Sequence, residues 1–283
     1  MKKYLEIPTM WEEMTAGQFS YLLRLVFEAR PDEITIGDFL LKFADHLLGE
    51  KQYVTSNRRT QYYKLVNDVA ATLDWIFTKD DDGNYVLDFC TTQNLLPEIN
   101  GLTGPQSHGS DLTFGEYRAA VDMMNRYSAD HEPFFLDALC GILYRKRPSV
   151  GFKRIISKED DVTPRERFSK HKIERYARNF ETVPEYLKWG VYLWFANFCR
   201  YLIEGGEFII DGNTLSFESL FERGSSNVDQ DQGIGLMSIV FTLADSGTFG
   251  NAEETERTLL FPVLMKLLHD KQMFEKIKRN DRN

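Results

Sequence analysis

One short pattern restricts this chain more than any other feature: an apolar residue, Thr, another apolar residue, Gly, then Gln, Asp or Glu, then an aromatic. It occurs three times, as Met14-Thr15-Ala16-Gly17-Gln18-Phe19, Ile34-Thr35-Ile36-Gly37-Asp38-Phe39 and Leu112-Thr113-Phe114-Gly115-Glu116-Tyr117. Each copy reads as the start of a helix. The Thr hydroxyl can accept a hydrogen bond from an orphan amide of the first turn. Gln18 and Glu116 can reach back to complete a capping box, and Asp38 imitates it with a shorter arm. The apolar residue before Thr and the aromatic at the fourth helical position can close a hydrophobic staple. Spacings of 20 and 78 residues are no repeat period, so the copies punctuate helices and do not define a solenoid.

These caps predict helices over about 16–29, 36–48 and 114–128. In the third, Tyr117, Ala120, Val121, Met124 and Tyr127 make an amphipathic stripe. Periodicity adds helices at about 57–74 and 133–145. Thr163-Pro164-Arg165-Glu166 reads as N-cap, Pro at the first helical position and capping glutamate, opening a charged helix to about Asn179. Thr182-Val183-Pro184-Glu185 restarts a helix to about Ile203, with Thr182 as its cap. Residues 186–195 of that helix are apolar nearly all round, the mark of a buried helix. Helices at about 234–245 and 252–278 follow, the second bent or divided at Pro262. Two small hairpins fall at about 75–89 and 208–217, where Asp-Gly and Gly-Asn steps separate short apolar runs. Residues 90–111, with Pro97, Gly101, Gly104, Pro105 and Gly109, should be irregular. The expected fold is mainly α, a multi-helix globular protein carrying two small β-hairpins. It divides into an N-terminal helical region (1–145), a basic linker or loop (146–162) and a C-terminal helical region (163–283), each helical region burying a core.

The three cysteines, Cys90, Cys140 and Cys199, form no C-x-x-C pair, and in apolar runs they should behave as small buried hydrophobes in a reducing cytoplasm. No apolar run follows Lys2-Lys3, so no signal peptide is expected, and charges interrupt every apolar stretch short of a membrane span. Asp229-Gln230-Asp231-Gln232-Gly233 and Asp80-Asp81-Asp82-Gly83 lack the later ligands of a calcium loop and read as solvated turns. P-loop, serine-elbow and local metal-ligand spacings are absent from the sequence, so no catalytic residue, cofactor or metal is assigned.

Charge is unevenly placed. From Arg145 to Arg178 twelve Lys/Arg stand against five Asp/Glu, a local +7 that leaves −16 on the rest of a chain whose net charge is −9. Phe152, Phe168 and Tyr176 interleave with these cations. A solvated helix face, docking on an acidic protein surface and nucleic-acid binding all fit that composition, with nucleic acid the least favoured in an acidic protein. Lys153, Arg154 and Lys158 are the candidate partner-binding residues.

Taken in order, several stretches resemble a family of uncharacterised proteins from phages and prophages of Bacteroidetes. They are Asn94-Leu95-Leu96-Pro97, Gly104-Pro105, Leu112–Tyr117, Leu139-Cys140-Gly141-Ile142-Leu143-Tyr144-Arg145, Trp189–Phe195 and Leu243–Asn251. Members of that family occur among tail-morphogenesis genes near the tape-measure gene. The resemblance implies a non-enzymatic tail assembly chaperone in the host cytoplasm, holding the apolar, helical tape-measure protein soluble. A structural component of the virion, such as a neck, tail or packaged protein, is the alternative, and a host-directed enzyme or regulator a third class.

Overall fold

The computed structural model describes residues 7–29, 35–49, 56–148, 164–210, 212–221, 243 and 247–280. Ten α-helices are present among them: α1 (Ala16–Glu28), α2 (Ile36–Leu48), α3 (Ser56–Ala70), α4 (Phe114–Asp130), α5 (Pro133–Leu143), α6 (Ile173–Arg178), α7 (Glu185–Ile203), α8 (Glu218–Phe221), α9 (Ala252–Arg257) and α10 (Leu260–Asn280). Three antiparallel two-stranded sheets complete them: β1 (Phe77–Lys79) with β2 (Tyr85–Leu87), β3 (Glu98–Ile99) with β4 (Leu102–Thr103), and β5 (Glu207–Ile210) with β6 (Asn213–Ser216). The chain is mainly α, as its periodicity predicts.

The repeated pattern caps helices in all three places. Thr15, Thr35 and Thr113 each accept the amide of the third helical residue, at 3.3, 3.2 and 3.2 Å. The side chains of Gln18, Asp38 and Glu116 accept the Thr amides in return. The short arm of Asp38 suffices to close its box.

Both expected hairpins form, the first with Phe77 opposite Leu87 and the second with Phe208 opposite Leu215. A third lies inside the stretch expected to be irregular. Asn100 and Gly101 both take positive φ, 49° and 73°, which turns the chain back in two residues and pairs Ile99 with Leu102.

The two later helix starts depart from expectation. The helix starting at Thr163 is not made: Pro164 to Ser169 are non-helical, and only Lys170 onward turns into α6. The backbone of Glu166 is committed elsewhere, its N–H donating to Lys146 O at 2.7 Å and its carbonyl accepting Arg145 Nε at 2.7 Å. Thr163 itself lies outside the described residues. Thr182 does not cap α7. It sits in a turn fixed by burial of Phe180 and Val183, whose backbones are joined by a 3.0 Å hydrogen bond, and Pro184 occupies the cap position without a side-chain bond. The break near the C-terminus falls at Thr258-Leu259 rather than at Pro262, which stands in the first turn of α10, where a missing amide hydrogen costs nothing. The helix expected at 234–245 lies outside the described residues apart from Leu243.

The buried residues form one cluster that draws on both sides of the basic segment, from Trp11 to Leu264, where each side was expected to bury a core of its own. α7 is its axis. It packs against α1, α5 and α8, and buries Val191, Trp194, Phe195, Phe198 and Leu202. Each such side chain contributes on the order of 1.5–3 kcal/mol of hydrophobic stabilisation. α5 joins α7 to α4 and α6. Gly141 permits the last of these contacts, because a Cβ there would stand 2.5 Å from the backbone carbonyl carbon of Tyr176. Among the described residues, no helix is long and apolar enough to cross a membrane.

Candidate interaction surfaces and the buried charges beneath them

The strongest polar feature is interior. Glu116, the capping glutamate of α4, has a side chain only 1% exposed. One of its oxygens pairs with Arg145 Nη2. The other accepts the Thr113 amide at 2.9 Å and Arg165 Nη2 at 3.3 Å. Arg165 also pairs with Asp111 at 2.6 Å and donates to Gly104 O at 3.0 Å, while Asp111 accepts the Gln106 amide at 2.8 Å. Two guanidinium groups thus meet two carboxylates out of contact with water. Burial, and then the like charge of Arg165, pull the Arg145 pKa down to about 9, so it remains protonated at neutral pH. Burial also lowers Arg165, opposed by the charge of Asp111. Every carboxylate oxygen of this set already has a protein partner, so the arrangement serves to fix structure.

In the sequence Arg145 and Arg165 belong to a basic stretch, and no local pattern there signals this role. The resemblance motifs converge on the same interior. Tyr144 Oη donates to Leu96 O at 2.7 Å and lies 3.2 Å from Asn94 Oδ1, whose amide nitrogen donates to Pro105 O at 2.8 Å. A second buried pair, Lys188 with Asp137 at 2.6 Å, ties α7 to α5.

The acidic turn Asp80–Gly83 uses its own carboxylate: Asp80 Oδ1 accepts the amides of Asp82 and Asn84 at 3.0 and 2.8 Å. It is the solvated turn the sequence suggests. Among the described residues no cluster of His, Cys, Asp and Glu is placed to hold a metal ion. His131 and Glu132 mark the junction of α4 and α5, with His131 at φ 55° as the C-cap of α4. Cys140 and Cys199 are buried, but Cys90 is exposed, against the expectation that all three are core hydrophobes. It lines an open cleft of about 340 Å³ with Asn197, Arg200, Tyr201 and Glu204. Arg200 is already engaged there by Asn197 Oδ1 at 2.7 Å.

The surface offers more. Near the end of α4 and the start of α7, aromatic rings gather at the surface, Tyr127 and Tyr192 half-buried and Trp189 exposed. Tyr127 and Tyr192 lie with centroids 5.6 Å apart, Trp189 and Tyr192 5.7 Å apart, and Tyr127 and His131 6.0 Å apart. Ser128 Oγ and Tyr192 Oη share a hydrogen bond of 2.8 Å. Trp189 is 38% exposed, and at the start of α5 Phe134, packed against Phe135 with centroids 5.7 Å apart, is 45% exposed. Arg126 covers the ring of Phe135 at 5.8 Å. Rings held against one another in this way lose little entropy on being covered, which suits anchors of a protein interface. A second apolar face, Met273, Phe274 and Ile277, runs along the exposed end of α10.

The candidate partner-binding residues Lys153, Arg154 and Lys158 lie outside the described residues, as does Phe152. The basic residues flanking them are described: Lys146, Arg147, Arg167, Lys170, Arg175 and Arg178 are exposed. Set beside known protein families, characterised proteins and solved structures, the chain matches none of them.

Proposed function

We propose that this protein is a non-enzymatic phage morphogenesis factor of the host cytoplasm, a tail assembly chaperone that binds the helical, apolar tape-measure protein. Its motif resemblance supplies the setting, and the aromatic strip made by the exposed Trp189 with the half-buried Tyr127 and Tyr192 is the observation that supports the binding mode. An amphipathic helix buries its apolar stripe against such a surface through a few large anchors. Apolar contact of this kind survives moderate salt, because screening weakens exposed charge contacts first.

Co-expression tests the reading. Fragments of the tape-measure protein should be soluble with this protein and aggregate without it, and Trp189→Ala should weaken the complex by about 2 kcal/mol or more if the indole is a central anchor. Purified particles should lack the protein. Stoichiometric copies in particles, with no fragment made soluble, would establish the virion-component alternative instead. Absence from particles together with no tape-measure binding would leave a host-directed enzyme or regulator.

A further inference from the structure

The charge of the Arg145–Arg178 stretch resolves into two populations. Arg145 and Arg165 are buried and matched by Glu116 and Asp111, so they contribute no field at the surface. Lys172 pairs with Glu166 at 3.3 Å. Six exposed cations remain, Lys146, Arg147, Arg167, Lys170, Arg175 and Arg178, against the exposed Glu174. Among the described residues none of the six stands within ion-pairing distance of a carboxylate. The undescribed residues 149–163 carry Lys153, Arg154 and Lys158 against Glu159, Asp160 and Asp161, and so add no net charge. The surplus therefore belongs to described surface.

That surface is contiguous at its centre. The Glu166 amide bonds to Lys146 O at 2.7 Å, setting the Lys146-Arg147 arm beside the Glu166-Arg167 arm. Tyr176 Oη donates to Arg167 O at 3.4 Å, bringing α6 alongside. Ala177 and Tyr176 of α6 face the core, leaving Arg175 and Arg178 outward. Acidic residues resume only at Glu181 and Glu185.

The aromatics decide between the two kinds of polyanion. Bases of a single strand bind by stacking on exposed rings. Here Phe168 and Tyr176 pack against each other at 6.3 Å and flank the buried Arg145 guanidinium, 5.7 and 6.0 Å from their centroids. Tyr176 is only 4% exposed. Their π-faces are spent on an internal cation. A long nucleic acid would also run off this patch onto a chain that is otherwise strongly acidic, where it is repelled. A short acidic peptide meets the cations without that penalty.

We propose that this face, built on Lys146, Arg147, Arg167, Lys170, Arg175 and Arg178, docks an acidic segment of a partner protein. It shares no residue with the aromatic strip and does not depend on the tape-measure reading. The full chain should be titrated, by fluorescence anisotropy, with a labelled Asp/Glu-rich peptide and with a single-stranded oligonucleotide of equal charge, at low and at physiological ionic strength. The peptide should bind more tightly than the oligonucleotide and should weaken as salt rises. The triple variant Arg167→Glu, Arg175→Glu, Arg178→Glu should lose about tenfold or more in peptide affinity while melting at the wild-type temperature, because exposed contacts are individually weak for the fold. If the triple variant melts early, the milder Arg175→Gln, Arg178→Gln variant carries the test and should lose several-fold. Tighter binding of the oligonucleotide overturns the proposal in favour of nucleic acid. No peptide binding, or binding indifferent to these substitutions, overturns it outright.

Discussion

Glu116→Ala should be the most damaging single truncation of a charged side chain in this protein. The carboxylate is the sole anionic partner of Arg145 among the described residues, whereas Arg165 keeps Asp111. Removing one member of a buried pair leaves the other charged and unmatched, at about 3–5 kcal/mol. The same substitution deletes the acceptor for the Thr113 amide, but that loss overlaps with the first and should not be added to it. A loss of about 3–5 kcal/mol is therefore expected. Glu116→Gln, which keeps shape and one acceptor oxygen but removes the charge, should lose less, about 2–3 kcal/mol. Urea unfolding followed by fluorescence of the buried Trp11 and Trp194 would report both, provided the slope is unchanged between variants. A double-mutant cycle with Arg145→Met isolates the pair: the double variant should be more stable than the two single losses added together predict. A Glu116→Ala loss below about 1 kcal/mol, or strict additivity in the cycle, would refute the claim that this carboxylate neutralises a buried cation.

Thr113→Ala removes only the cap hydroxyl and should cost about 0.5–2 kcal/mol, with partner binding unchanged in a parallel pull-down once the protein is folded. Gly141→Ala should destabilise by about 3 kcal/mol, since its methyl group would meet the Tyr176 backbone rather than a movable side chain. Gly17→Ala, in the first turn of α1 with open space around it, should instead stabilise by about 0.5–1 kcal/mol, measurable in the same denaturation series. Of the three thiols only Cys90 should react with a disulfide reagent in the native state, because Cys140 and Cys199 are buried and burial pushes Cys199 up to about 12. Burial, then the charges of Asp88 and Glu12, raise Cys90 too, so its reaction should be slow at neutral pH and quicken as pH rises through that elevated pKa.

Helix starts at Thr15, Thr35 and Thr113 are legible because a capping box is local chemistry, complete within four residues. The box of Asn251 with Glu254, which opens α9, has the same form and was readable in principle from its spacing. Thr182 carries the same signal, and so does the helix expected from residue 164 onward, but both give way to packing. The 164–166 stretch gives its arginine to Asp111 and Glu116, more than forty residues earlier in sequence, and the 180–183 turn is set by burial of Phe180 and Val183. The two-residue β3–β4 hairpin escapes a window-based reading because its strands are only two residues long. Charge counts mislead for a related reason: composition places Arg145 and Arg165 in a basic run, and only the fold shows that acids from another segment neutralise them. The aromatic strip joins the junction of α4 and α5 to the start of α7, more than fifty residues apart, so no linear pattern announces it.

Arg145 and Arg165 are held by a single side chain, Arg145 on one oxygen of Glu116 and Arg165 on the other. The Lys146–Glu166 backbone bond closes the ring just above. The two arms therefore share one fastening. An opening that frees Glu116 should release both together, so that the amides of Arg145, bonded to Thr103 O, and of Glu166, bonded to Lys146 O, exchange with solvent at one common rate.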